Sequence, residues 1–300
     1  MSGRSLQTTR RGFLGLAWGA ALAHWLGAIR ARAAAPPVRP GRSRVVLVRD
    51  RAAVDEDGRV DGAVLARMLD DAVASLLQVP AAAEGWKRLF GPKDVVGVKS
   101  NAWRYLPTPP ELEEVIRQRL VGAGVDPEGI AIDDRGVLGN PVFARATAIV
   151  NVRPMRTHHW SGLGTCLKNV ITFVPRPSEY HEDTCASLGA LWQLPAVAGK
   201  VRLNVLVMLT PQFHGVGPHS FSPRFTWPYR GLIVGTDPVA VDATGARVIA
   251  ARRRAFFGDD RPISPPPHHI QMADTRYGLG PTNPAQIDLV RIGLAEDALI

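Results

Sequence analysis

Short apolar runs of strand type alternate with helical stretches along most of this chain, and that alternation restricts the fold more than any other feature of the sequence. Val45-Val46-Leu47-Val48 reads as a buried strand. Residues 62–78 then place Val64, Leu65, Met68, Leu69, Ala72, Val73, Leu76 and Leu77 on one helical stripe. Residues 94–100 return to strand character, and a helix is expected after Thr108. Thr108 suits its cap, Pro109 its first turn, and Glu111, Glu113 and Glu114 the positive end of its dipole. Strand-like segments recur at 129–133, 146–152, 201–209, 231–234 and 287–292, with a helix over 238–251. The pattern predicts an α/β fold: a mostly parallel sheet with helices on both faces, forming one large domain over residues 45–300.

The residues just past the strands point to function. Lys99-Ser100-Asn101, Asp133-Asp134-Arg135, Asn151, Thr210 with Gln212, and Thr236-Asp237 each end an apolar run. In an open α/β sheet, ligands bind beyond the carboxyl ends of the strands, so a parallel sheet would gather these side chains along one edge. Turn and cap preferences alone supply the same residue types.

The net charge of +9 suggests nucleic acid until its distribution is considered. Arg4, Arg10, Arg11, Arg30 and Arg32 precede Ala35 without any acidic residue, and removing them leaves +4 over residues 36–300. That is a moderate charge, and nucleic acid is not the expected partner. Thr8-Thr9-Arg10-Arg11-Gly12-Phe13-Leu14 leads into an apolar run ending near Ala33-Ala34-Ala35, so residues 1–35 read as a twin-arginine signal peptide. The expected partners are therefore the export machinery and, through the signal peptide alone, the membrane; the expected location is periplasmic or otherwise exported. Residues 36–44 form a Pro/Arg linker. Cys166 and Cys185 either pair or stay as buried thiols, and two cysteines cannot hold an iron–sulfur cluster.

The densest polar segment runs from Arg156-Thr157-His158-His159 through Gly162-Leu163-Gly164 to Lys168-Asn169. Gly162 and Gly164 allow close backbone approach, residues 165–171 can open a helix toward an anion, and Arg156 and Lys168 add charge. Neither the P-loop spacing nor the GxGxxG fingerprint is present. On a strand, His158 and His159 would face opposite sides, leaving one of them to structure. His181, His214 and His219, with Glu179, Glu182 and Asp183, contain metal-ligating types without diagnostic spacing, and HExxH is absent. His268-His269 reads as a surface loop, and Ser161 lacks the GxSxG context of a nucleophile elbow.

Several of these pieces resemble the bacterial family known as domain of unknown function 362. They are Val95 to Asn101, Thr108-Pro109-Pro110-Glu111, Asn151 to His158, Gly162 to Asn169, and Thr236-Asp237-Pro238-Val239-Ala240-Val241-Asp242-Ala243. Relatives commonly have Lys-Thr-His where this chain has Arg156-Thr157-His158, and some carry a ferredoxin-like cysteine module that is absent here. The resemblance implies a shared α/β domain and no defined activity.

The expected protein is an exported α/β protein whose crevice binds a small anionic ligand or cofactor, with a divalent metal as one candidate. Lys99, Arg156 and Lys168 would supply charge, while Asn101, Asn169, Gly162 and Gly164 would orient the ligand. His158, Lys99 and Asp237 are the expected catalytic groups, and Asp133, His158 and Asp237 the expected metal ligands. The alternative is a non-catalytic periplasmic binding or accessory subunit for a cofactor or redox partner.

Overall fold

In the central strands apolar side chains leave in both directions, which is why the sheet is covered on both faces. Val46, Val48, Val150, Val152, Val205, Val207 and Val234 join one core, whereas Val45, Leu47, Ile149, Leu206, Met208 and Ile233 join the other. The computed structural model describes residues 41–215 and 221–300. The signal segment, most of the 36–44 linker and His219 lie outside the described residues.

The strands are β1 (Ser43–Arg49), β2 (Val96–Lys99), β3 (Ile130–Asp133), β4 (Ala148–His158), β5 (Gly162–Gly164), β6 (Val201–Gln212), β7 (Gly231–Gly235) and β8 (Ile287–Gly293). They form one sheet in the order β3-β2-β4-β6-β7-β1-β8, with β5 added on β4. The β2/β3, β2/β4, β4/β6 and β1/β8 pairs are parallel. β7 runs antiparallel to both of its neighbours, and β5 to β4.

Helices α1 (Gly62–Leu77), α2 (Ala82–Leu89) and α3 (Pro110–Gly122) cover the first face. The expected stripe of α1 is buried, and Asp61 caps it by accepting from Val64 N at 3.0 Å. Burying Leu65 or Leu69 contributes about 1.5–3 kcal/mol each, so Leu69→Ala would cost roughly 2–5 kcal/mol. Helix α3 starts later than its signals suggest: Thr108 is not its cap, because the Thr108 hydroxyl accepts from Asn101 N at 3.1 Å instead. Three short helices come next, α4 (Pro141–Ala144), α5 (Cys166–Asn169) and α6 (Glu182–Cys185). The second face is packed by α7 (Pro238–Phe257) and α8 (His268–Thr275). Among the described residues no helix is long and apolar enough to cross a membrane.

The α/β class with helices on both faces and a mostly parallel sheet is as expected; the direction of β7 is not. A parallel return needs a crossover, usually a helix. The stretch after β6 contains Pro218, Pro223 and Pro228, and its described part holds only a short turn at Pro223–Phe225. The chain therefore folds back, and the carboxyl end of β7 arrives beside Asn204 and Val45, near the starts of β6 and β1.

Candidate functional site

At the end of β2, Lys99 is fully buried and its ammonium donates to Asp134 Oδ1 at 2.5 Å and to Ser100 O at 2.7 Å. Asp134 also accepts from Ala102 N at 2.9 Å, and the nearby ammonium holds its carboxyl below the usual range despite burial. Burial in turn lowers the Lys99 pKa to about 8. Asn169 ties this corner to the sheet. Its Nδ2 donates to Lys99 O, Asn151 Oδ1 and Val152 O, and Asn151 continues through Asn204 Oδ1 at 2.9 Å. A row of buried amides thus crosses the sheet from Lys99 to Asn204.

Strand β4 continues six residues beyond its expected end at Val152, carrying two arginines into this corner. Arg153 and Arg156 stand an odd number of residues apart, so an ideal strand would send them to opposite faces. Pro154 has no N–H for the ladder, however, and the register with β6 jumps from Pro154 opposite Val207 to Arg156 opposite Gln212. Both side chains then flank Gly164, where a Cβ would stand 2.9 Å from Arg153 Nη2 and 3.4 Å from Arg156 Cγ. Gly162 has φ +69, and a Cβ there would meet Pro265 O at 2.2 Å. Both glycines thus admit other parts of the protein closely, an arginine side chain in one case and the 265–267 backbone in the other.

Arg153 Nη1 donates to Asn169 Oδ1 at 3.2 Å, but its buried Nε has no partner. Arg156 is 4% exposed, its Nε and Nη1 are buried without a partner, and its guanidinium lies 4.1 Å from the Trp103 ring. Burial and the positive charge of Arg153 push the Arg156 pKa well down. Trp103 packs against Tyr105 and Phe221, so an aromatic cover lies over this guanidinium.

Lys168, in α5, is 3% exposed rather than on a helix surface, and its Nζ lies 3.6 Å from Cys185 Sγ. Burial, with Arg153 and Arg156 adding to it, lowers its pKa to about 8. Both cysteines are free, buried thiols, and burial raises the pKa of each. The start of α5 is held from a distance: Asp242 of α7 accepts from Cys166 N at 2.9 Å and Leu167 N at 2.7 Å. Complete burial raises the Asp242 pKa to about 7 against those hydrogen bonds. Thr165 Oγ1 lies 3.0 Å from His269 Nε2. His269 is therefore no surface-loop residue: it is fully buried in the first turn of α8, with its pKa lowered to about 3 by burial and by Lys168.

His158 is the last residue of β4, while His159 lies in the turn beyond it. The expectation of opposed rings fails for that reason, and the two rings stack at 4.8 Å with 16° between their planes. Trp160 N donates to His158 Nδ1 at 3.2 Å, which places the proton of the neutral ring on Nε2. Burial and the charges of Lys168, Arg156 and Arg153 push its pKa far down, so His158 is a neutral N–H donor here.

The expected metal triad does not assemble. Asp133 stands opposite Lys99 in the β2/β3 register, yet its oxygens close a turn by accepting from Gly136 N at 2.9 Å and Asn140 Nδ2 at 3.2 Å. Asp237 sits at the other edge of the sheet because β7 is antiparallel; it caps α7 through Val239 N and Ala240 N and accepts from Ser43 Oγ at 2.5 Å. Among the described residues no three His, Cys, Asp or Glu side chains gather to hold a metal ion. Asn101 does lie near the Lys99 corner, with a buried Oδ1 that has no partner. His214 pairs with Arg253 at 3.0 Å, and His268 lies 3.9 Å from Asp183.

Asp134, Arg153 and Asp242 belong to the polar cluster and were not among the expected site residues. Asp242 stands alone within the apolar opening of a covered helix, and Arg153 lies between Val152 and Pro154; such isolation is the signal of a buried polar side chain, whereas Asp134, between Asp133 and Arg135, carries no such signal. Residues 135–247 match the family model described as Domain of unknown function (DUF362). No curated protein and no solved structure matches the chain. The matched segment contains Asn151, Arg153, Arg156, His158, Lys168, Asn169 and Asp242 but stops short of Lys99 and Asp134, and it supports the resemblance to the DUF362 family read from the sequence.

Proposed function

We propose that the protein binds a small oxyanion, a carboxylate or phosphate group, at the carboxyl end of β4, with Arg153, Arg156 and Lys168 supplying the charge and His158 Nε2–H a further donor. The observation that carries this reading is the Arg156 guanidinium, buried with two donor nitrogens lacking partners. A buried charge without a counter-ion is costly, and here Asp134 is engaged by Lys99 while Asp242 is engaged by the start of α5. A bound anion would complete the arrangement with charge-assisted hydrogen bonds. Because its Nδ1 lone pair is occupied, His158 acts as an electrophilic donor and not as a general base. Asn169 holds Arg153, and Lys99 holds Asp134, rather than touching the ligand.

The same reading places this chemistry outside the cytoplasm, on the strength of Arg10-Arg11 and the apolar run behind them. Titration calorimetry of the purified protein with inorganic phosphate, citrate and pyruvate tests the binding claim. One of these anions should bind at one site per chain, and Arg156→Met should remove the heat. Silence from all three, or binding indifferent to Arg156→Met, would refute it.

A further inference from the structure

Lys168 differs from the other cations of this cluster in a way that anion binding does not need. Lysine is rare in the chain: Lys87, Lys93, Lys99, Lys168 and Lys200 are the only five among 36 Lys and Arg residues. Where a fixed positive charge is wanted, this sequence uses arginine. Two of the five lysines are nevertheless buried in this one cluster. Lys99 has an evident structural use in its pair with Asp134. Lys168 has no carboxylate; its nitrogen faces Cys185 Sγ at 3.6 Å, beside two arginines.

An amine that is desolvated and set next to other cations gives up its proton readily, and a neutral amine is a nucleophile toward carbonyl carbon. An arginine could not do this. The Cys185 thiol does not supply a counter-ion, since burial keeps its pKa above the ordinary thiol value. The backbone that presents Cys185 is itself unusual: Asp183, Thr184 and Cys185 all have positive φ, at 43, 52 and 65°. Three successive non-glycine residues in this region are strained, and such strain persists where the surroundings enforce it.

We propose that Lys168 forms an imine with a 2-oxo acid whose carboxylate is held by Arg153 and Arg156. This rests on the anion-site reading and narrows its ligand to a carbonyl-bearing acid. The Nζ lone pair adds to the keto carbon, the C–N bond forms, and the carbonyl oxygen leaves as water. The balance is protonated amine plus ketone giving protonated imine plus water, with no oxidant or reductant. The lowered pKa of Lys168, about 8, leaves an appreciable fraction of neutral amine at neutral pH. His158 Nε2–H is a donor suited to the carbonyl oxygen as it gains negative charge. Because Lys168 is only 3% exposed, the acid must enter by displacing part of the cover, and the ketone is then held in a site with little water to reverse the condensation.

The test is reductive trapping of the full protein with sodium borohydride in the presence of pyruvate, oxaloacetate, 2-oxoglutarate or glyoxylate, followed by peptide mapping. One adduct per chain on the Lys168 peptide with at least one of these acids is expected, with none from lactate, which has no carbonyl. Lys168→Arg should lose the adduct; if that variant does not fold, the wild-type peptide map decides alone. Modification confined to Lys87, Lys93 and Lys200, or no modification with any of the four acids, overturns the proposal. Calorimetry with pyruvate and lactate on the same sample separates the two claims. Heat that depends on Arg156 without trapping at Lys168 removes the imine and keeps the anion site, whereas absence of both removes both.

Discussion

Replacing Arg156 by methionine should make the ligand-free protein more stable. The guanidinium has two buried nitrogens without partners, and an unsatisfied buried donor costs about 1–3 kcal/mol. Against that relief stands the loss of its contact with Trp103, 4.1 Å away, which contributes about 2 kcal/mol when desolvated. Methionine keeps most of the apolar stem and removes the charge beside Arg153, so the net gain is up to about 4 kcal/mol. In a domain of this size that corresponds to up to roughly 10 °C in Tm. Scanning calorimetry in a buffer free of polyvalent anions reads the difference directly. Adding the cognate anion should stabilise the wild type, by about 2.7 kcal/mol at a hundred times Kd, and leave the variant unmoved. A variant melting below the wild type in the absence of ligand would overturn this balance, because Arg156 would then be ordinary packing.

Asp242→Asn keeps the shape but can accept only one of the two backbone bonds from Cys166 and Leu167, so it should cost about 1.5–3 kcal/mol in urea unfolding; an unchanged midpoint would contradict the role of Asp242 in holding α5. The pH dependence is set by opposing shifts. His158 and His269 stay neutral when folded and bind protons when unfolded, so stability falls as the pH drops below about 6.5. Asp242, raised to about 7, and Asp237, also raised, work the other way, while His181 and His214, both lowered, join the two buried rings, so the rings outnumber the carboxyls and acidification should destabilise the fold. Urea melts at about pH 6.5 and about pH 4.5 should differ in that direction. Asp237→Ala should cost roughly 0.5–2 kcal/mol as a lost cap while leaving anion affinity unchanged. Changing Arg10 and Arg11 to Lys should leave precursor in the cytoplasm by cell fractionation, with normal export as the contrary result.

The α/β class was legible because its periods are local: the stripe of α1 and the apolar runs of β1, β3 and β8 announce themselves within a few residues. The direction of β7 was not, since it depends on how the chain returns through residues 213–230, and Asp237 moved to the opposite edge as a result. Lys168, Arg156 and His158 were found from the density of polar residues around two glycines. Their partners were missed for specific reasons. Asp133 and Asp134 are adjacent, and only the path of the chain at the end of β3, beside β2, decides which of them bonds to Lys99. Arg153 lay just past the expected end of a strand that in fact runs to His158. Asp242 lies five residues into a helix-opening motif, and nothing local says that it reaches across to the start of α5.

Everything proposed for this site depends on an anion binding at Arg156. Native mass spectrometry of the wild-type protein, purified through its own export route and set beside Arg156→Met, measures that occupancy. The expected spectrum shows the wild type carrying one small acidic molecule per chain, released on gentle activation, and the variant at its bare polypeptide mass. A wild type that is bare as purified, and stays bare after incubation with phosphate, citrate and the 2-oxo acids, would remove the anion site.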